Sequence, residues 1–233
     1  MASADLFGGD VIVLLVMTDG RRACIEQTIP SALAQLDGPI SLRVIHDDSG
    51  DASYRMWLRK RFGGDGWVIL GDGPRSGFGP AYQRIWQWLA KRVSERWVFS
   101  TEDDFTFTHH VDLSGMVEAM EAEPRLRQVA LRRQPWNPEE IEAGGVVELR
   151  PGEFHDATIA GHDMLTHRMF WTTNPSLHRT DLCALGWPEG AHSEGVWSAR
   201  LFADPKAMCA YWGARGSGEW VHHIGGERIG VGY

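Results

Sequence analysis

The chain has 233 residues, 43% hydrophobic and 23% charged, a composition that predicts one compact α/β domain with a sizeable core. Its formal net charge of -8 argues against broad electrostatic attraction to nucleic acid or to an anionic membrane surface. The longest purely apolar run, Val11 to Met17, falls far short of the roughly 20 residues a membrane-spanning helix needs, and no basic segment precedes it, so the expectation is a cytoplasmic, unprocessed protein without membrane contact.

In chain order, the run Val11 to Met17 predicts a strand buried on both faces, closed by the polar turn Thr18-Asp19-Gly20. Helical spacing follows over 22–36, with Ile25, Ile29, Leu33 and Leu36 on one stripe and Pro30 as a candidate kink. Residues 40–46 alternate as a strand that runs into Asp47-Asp48-Ser49-Gly50-Asp51, and Asp51 caps a helix over 52–62. A short strand over 67–70, a glycine-rich turn over 71–80 and a helix over 81–93 precede a strand over 97–100, which leads into Thr101-Glu102-Asp103-Asp104. This alternation predicts parallel βαβ units. A helix over 112–123 and a strand over 129–131 come next, and then an irregular, Gly/Pro/His-rich stretch over 134–167. Cys24, Cys183 and Cys209 lack paired spacing, so neither a disulfide framework nor a thiolate zinc site is expected.

Ligands of such sheets sit beyond the carboxyl ends of the strands, which is where both acidic clusters fall. Alternation along an extended backbone puts Glu102 and Asp104 on one side and Asp103 on the other. Two carboxylates so placed offer oxygens to a hard divalent cation, Mn²⁺ or Mg²⁺, that would neutralise a departing diphosphate. Three acids in isolation read more readily as a solvated turn, and it is the order of motifs along the chain that reverses this.

That order resembles the GT-A type, family 2 inverting glycosyltransferases, whose members include cellulose and hyaluronan synthases. Val44-Ile45-His46-Asp47-Asp48-Ser49-Gly50-Asp51 is similar to that family's nucleotide motif, 28–35 to its first helix and 99–104 to its Asp-x-Asp region. In the second half, Asn174 to Arg179, Leu185-Gly186-Trp187 and Ser193-Glu194-Gly195-Val196-Trp197 resemble its later series, which ends at the catalytic base. The resemblance covers about residues 11 to 203. It implies a mostly parallel Rossmann-like sheet flanked by helices, with a nucleotide-sugar-binding half over 1–110, a mixed, loop-rich acceptor half over 111–224 and a flexible tail over 225–233.

Carried over by this resemblance, Asp47 or Asp48 would contact the nucleobase or ribose, and Thr18 with Asp19 would line the same pocket. Glu102, Asp103, Arg75 and Gly77 belong to the donor side, Asp104 is the better metal ligand, and Glu194 is the general base of a single inverting displacement. A late histidine, His222 or His223, would complete the metal shell; neighbours on a strand point opposite ways, so one at most can ligate. Departures are present too. Glu102 stands in place of the usual first Asp of the metal motif, Gly195 in place of a second acid, and Arg75-Ser76 near an expected Asn.

Eleven tryptophans are many for this length. Trp86 and Trp88 fit a helical core pattern, whereas Trp136, Trp171, Trp187 and Trp197 are candidates for stacking against an acceptor sugar. His109-His110, His155-Asp156 and His162-Asp163 are too scattered to suggest a separate metal site.

The implied donor is a nucleotide diphosphate sugar, UDP-sugar favoured, and the implied acceptor a glycan, a protein or a modified nucleobase. Short enzymes of this kind occur in bacteriophages as well as in cells, which leaves hydroxymethylated DNA open as an acceptor although the charge opposes it. Two alternatives stand beside this reading. One is a sugar-phosphate nucleotidyltransferase, of whose glycine-rich phosphate loop Thr18-Asp19-Gly20-Arg21-Arg22 is a faint version. The other is a non-catalytic nucleotide-sugar-binding protein.

Overall fold

The computed structural model describes residues 11–226. In chain order its strands and helices are β1 (Ile12–Thr18), α1 (Arg22–Gln35), β2 (Leu36–Asp37), β3 (Ile40–Asp47), α2 (Ala52–Phe62), β4 (Trp67–Leu70), α3 (Phe78–Arg92), β5 (Trp97–Glu102) and β6 (Phe105–Phe107), then β7 (Val111–Asp112), α4 (Leu113–Ala122), β8 (Leu126–Ala130), α5 (Pro138–Ala143), α6 (Val146–Leu149), β9 (His155–Ile159), β10 (His162–His167), β11 (Ser176–Arg179), α7 (Ser193–Phe202), β12 (Met208–Trp212) and β13 (Val221–His223).

Nine strands form one mixed sheet in the order β4-β3-β1-β5-β11-β8-β12-β10-β9. β4, β3, β1 and β5 are parallel neighbours. β11 runs antiparallel between β5 and β8, and β12 lies parallel to β8. The sheet therefore runs unbroken from the first half of the chain into the second. The fold is α/β, a mixed sheet that is parallel over β4, β3, β1 and β5, with helices on both faces. β1 is buried along its whole length because it lies between two other strands and under helices on either face. Ile12, Leu14 and Val16 pack in the core containing Ile25 and Ile29 of α1 and Met116 of α4. Val13, Leu15 and Met17 pack in the opposite core, with Ile85 and Trp86 of α3.

The local signals act as their chemistry requires. The Asp51 carboxylate accepts the Ser53 N–H at 2.7 Å and caps α2. Pro30 lies within α1 without ending it. On the buried stripe of that helix Ala32 replaces the expected Leu33, which is 40% exposed. α3 starts three residues earlier than the sequence predicts, because Gly77, Phe78 and Gly79 lead straight into it and Pro80 sits in its first turn, where a missing N–H costs nothing.

Residues 134–167 are more regular than predicted. They hold α5, α6 and the β9–β10 hairpin, whose turn places Ala160 at φ 52° and Gly161 at φ 85°. β9 is largely exposed and carries polar residues, so it lacks the apolar alternation that reveals a strand. A second, two-stranded sheet pairs β6 with β13 in antiparallel register, with His222 opposite Thr106 and His223 opposite Phe105. It brings the end of the described chain back to the acidic turn. Gly225 and Gly226 are described, whereas the rest of the expected tail, 227–233, lies outside the described residues. Among the described residues no helix is long and apolar enough to cross a membrane.

Candidate active site

A cavity of about 560 Å³ opens at the carboxyl ends of β1, β3 and β5. Of the residues singled out from the sequence, Thr18, Asp19, Asp48, Arg75, Gly77, Glu102, Asp104, Glu194 and His223 line it. Asp47, Asp103 and His222 do not. The lining residues come from the ends of β1, β3 and β5, the glycine-rich turn, α7 and β13, so the sheet ends and the returning ribbon gather distant chain segments into one space.

The two aspartates after β3 divide their work. Asp47 is 1% exposed and turns inward, accepting from Ser49 N at 2.8 Å and from Arg55 Nε at 3.1 Å. Burial raises its pKa, an effect that these bonds offset in part. It therefore braces the loop and has no access to a ligand in the cavity. Asp48 faces the glycine turn. It accepts from Ser76 Oγ at 2.7 Å, Gly77 N at 2.8 Å, Ser76 N at 3.1 Å and the Arg84 guanidinium. These bonds fix the loop that leads into α3 and set a carboxylate against a helix N-terminus, where negative charge is favoured. Gly71 permits the close approach of this loop: its φ is 107°, and a Cβ there would collide with the Asp47 carbonyl.

After β5 the side chains alternate. Glu102 and Asp104 line the cavity, while Asp103 is fully buried behind it. The Asp103 carboxylate accepts from Thr18 Oγ1 and from Arg21, and its backbone carbonyl accepts from Thr28 Oγ1 at 2.6 Å. Burial lifts the Asp103 carboxyl to about 7 against the opposing pull of Arg21 and Thr18. Asp103 thus ties β5 to β1 and α1. Enclosure, with repulsion from Asp104 and Glu194, raises the Glu102 carboxyl well above the ordinary range. For Asp104, burial pushes upward, but hydrogen bonding to His223 and the charge of Arg21 outweigh it, and the carboxyl is held below its usual value.

The β6–β13 pairing sets His223 Nε2 3.0 Å from Asp104 Oδ2. The ring also meets Trp136 edge-on at 4.1 Å between centroids, and the His223 backbone is clamped by both amide atoms of Gln134. His222, on the other face of the strand, pairs with Glu219 at 3.4 Å, outside the cavity. Glu194 sits in the first turn of α7, where its carboxylate accepts from Thr173 N at 2.8 Å and Thr173 Oγ1 at 3.0 Å.

Several residues were not singled out as site members from the sequence. Arg21 figures there only within a faint phosphate-loop pattern, yet it lies among Asp19, Asp103 and Asp104. Thr173, which orients Glu194, carries no signal beyond its place beside Asn174-Pro175. Arg133 and Glu140 form a two-point ion pair at 2.7 and 3.2 Å that holds the loop bearing Trp136. Among the tryptophans offered as sugar platforms, only Trp136 lines the cavity, 43% exposed. Trp171, Trp187 and Trp197 are at most 4% exposed and pack around Trp86 in an aromatic core, because each lies on the inner face of its segment. Among the described residues no group of three or more His, Cys, Asp or Glu side chains is arranged to hold a cation unaided.

No protein-family model matches the sequence, and no curated protein matches it. Solved structures do. S. aureus TarS 1-349 superposes with a TM-score of 0.59 at 13% identity, over 91% of this chain and 60% of that one. The same protein in complex with UDP-GlcNAc gives 0.59 at 14%, over 94% and 61%. The mannosyltransferase PcManGT from Pyrobaculum calidifontis, in complex with GDP-Man and Mn²⁺, gives 0.59 at 14%, over 93% and 57%. The chain spans about 60% of the length of these neighbours. The likeness shows the fold: this chain has the GT-A type glycosyltransferase architecture.

Proposed function

We propose that the protein is an inverting glycosyltransferase that moves a sugar from a nucleoside diphosphate donor, a UDP-sugar in the first instance, to an acceptor hydroxyl with the help of a divalent cation. The observation that carries this reading is the convergence of Asp48, Asp104 and Glu194, from three distant parts of the chain, on one cavity of a GT-A type fold. Two of the solved neighbours are held in complex with UDP-GlcNAc and with GDP-Man and Mn²⁺, which supports the donor class.

Asp104 and His223 are the residues that would hold the cation. The donor set suits Mn²⁺ or Mg²⁺, a carboxylate beside an imidazole nitrogen, and Asp104 Oδ1 is a buried oxygen that accepts no hydrogen bond from the described residues. Bound there with the donor's phosphates, the cation would supply positive charge against the leaving diphosphate. The protein's own groups do the rest. Asp48 holds the glycine turn in the shape that receives the nucleotide. Thr173 directs the Glu194 carboxylate, which takes the proton of the acceptor hydroxyl as its oxygen attacks the anomeric carbon from the face opposite the diphosphate. Trp136 offers an indole face at the mouth for an acceptor ring. The acceptor class, whether glycan, protein or modified DNA base, is left to assay.

The test is release of UDP or GDP from a panel of nucleotide sugars with Mn²⁺, with and without candidate acceptors. Acceptor-dependent release that Glu194→Gln abolishes is the expected result. Donor binding without turnover across the panel would sink the proposal in favour of a non-catalytic binder. Pyrophosphate release from a nucleoside triphosphate would favour nucleotidyl transfer instead.

A further inference from the structure

Arg21 reaches into the acidic turn from the start of α1. Its side chain is 13% exposed, and it makes ion pairs with Asp103, which is wholly buried, with Asp104, which is 3% exposed, and with Asp19. Its charge is therefore divided among three carboxylates, of which Asp19 is also paired with Arg75 at 2.7 Å and Asp104 with His223. The fit is imperfect: Nε lies 3.0 Å from Asp19 Oδ1, yet neither atom makes an aligned hydrogen bond among the described residues.

The oxygen of Asp104 that Arg21 grips, Oδ2, is also the one that His223 Nε2 approaches. Its partner oxygen, Oδ1, accepts nothing from the described residues. Gly225 lies directly over this pair, since a Cβ at that position would collide with the Asp104 carboxylate and come within 3.0 Å of the guanidinium.

Resting on the metal reading above, we propose that Arg21 is the resident counter-cation of the donor site. It holds Asp104 in the donor-free protein, competes with a divalent cation for that carboxylate, and turns to the donor's phosphates when the cation binds. The physical ground is simple. A guanidinium on Oδ2 and a divalent cation on Oδ1 of one carboxylate repel each other in a partly dry pocket, so each weakens the other's hold. Arg21 has somewhere to go, because it lines the same cavity and its planar fork matches a phosphate in two-point geometry.

The consequence is coupling. A cation alone binds against the charge of Arg21, which gains no new partner, and a nucleoside diphosphate alone leaves Arg21 tied to Asp104. Together each relieves the other, and the benefit is reciprocal by linkage.

The experiment measures Mn²⁺ affinity by electron paramagnetic resonance of free Mn²⁺ for the parent, Arg21→Gln and Arg21→Lys, without nucleotide and with saturating UDP or GDP. Circular dichroism checks the fold of each. Removing the competitor is expected to tighten nucleotide-free Mn²⁺ binding about tenfold in Arg21→Gln and to shrink the gain that nucleotide brings. Arg21→Lys, which keeps the charge but lacks the planar fork that grips two carboxylates at once, is expected to fall between, and it carries the test should Arg21→Gln not fold. Variants that bind Mn²⁺ no more tightly than a parent that does bind it overturn this inference alone. Absence of Mn²⁺ binding in every protein, with either nucleotide, overturns the metal reading and this inference with it.

Discussion

His223 and Asp104 stand 119 positions apart in sequence, yet Nε2 of the one lies 3.0 Å from Oδ2 of the other, because β13 pairs with the strand that begins immediately after the acidic turn. If this pair holds the cation, Asp104→Asn and His223→Ala each weaken Mn²⁺-dependent UDP or GDP binding at least about tenfold, the scale on which metal-site substitutions act. His222→Ala leaves it unchanged. Titration calorimetry with and without Mn²⁺ separates the two histidines, and equal effects at 222 and 223 would remove His223 from the role.

Glu194→Gln keeps the size of the side chain and loses its basicity. Donor affinity should hold while the transfer rate falls by roughly 10²- to 10⁴-fold, the usual reach of a general base. Thr173→Val, which deletes the hydroxyl donor but keeps the backbone N–H, should lower the rate by a smaller factor without flattening its pH profile. Near-normal transfer by Glu194→Gln would assign the base elsewhere.

Asp48→Ala unties the glycine-rich turn. It strips the Ser76 and Gly77 donors and the Arg84 guanidinium of their common acceptor, so stability should fall by about 1–3 kcal/mol and the KM for donor should rise. Urea unfolding and donor titration measure the two effects. A variant with parental stability and parental donor KM would show that the turn keeps its shape without Asp48.

His46 is 4% exposed, neither of its ring nitrogens has a hydrogen-bond partner among the described residues, and burial, with help from Arg84, lowers its pKa from 6.5 to about 4. Burial lowers His167 and His178 to about 4 as well. Each is neutral in the fold and takes up a proton on unfolding between those values. Its contribution is therefore complete above pH 6.5 and lost as pH falls towards 4. Asp103, lifted to about 7, acts with the opposite sign, so the difference between the parent and His46→Leu isolates the histidine. The stability of His46→Leu relative to the parent should climb by about 1.4 kcal/mol per pH unit below 6.5, read from urea unfolding at pH 7, 6 and 5. A difference independent of pH would mean that His46 is not buried neutral.

Trp197 is fully buried against Trp86 and Trp187, whereas Trp136 is 43% exposed at the cavity mouth. Trp197→Ala should cost about 3–5 kcal/mol. Trp136→Ala should leave stability within about 0.5 kcal/mol and raise the KM for an acceptor more than for the donor. The reverse pattern would move the stacking surface elsewhere.

The first half of the fold was legible in the sequence because its strands are continuous apolar runs and its acids mark the turns at their carboxyl ends. Val11 to Met17 reads as a buried strand, and Asp51 as a cap, from local chemistry alone. The β9–β10 hairpin was not legible, since exposed strands rich in His, Asp and Thr carry no hydrophobic period. At the site, alternation separates Glu102 and Asp104 from Asp103, but it says nothing about which member of Asp47-Asp48 faces the cavity. That depends on Arg55 and Ser76, which reach these carboxylates from α2 and from the turn before α3. Arg21 and Thr173 escaped notice for the same reason: what they touch is set by tertiary contacts between segments far apart in the chain. The tryptophans mislead because an indole that stacks on sugar and one that fills a core look alike in sequence.

The knot of four indoles has a mechanical consequence. Trp86 belongs to the helix entered from the glycine-rich turn and Trp197 to the helix that bears Glu194, and their rings meet edge to face at 4.9 Å, with Trp171 and Trp187 packed around them. The two jaws of the cleft are thus welded at their roots. Amide protons in α3 and α7 should therefore exchange with deuterium as one cooperative unit, more slowly than those of the glycine turn.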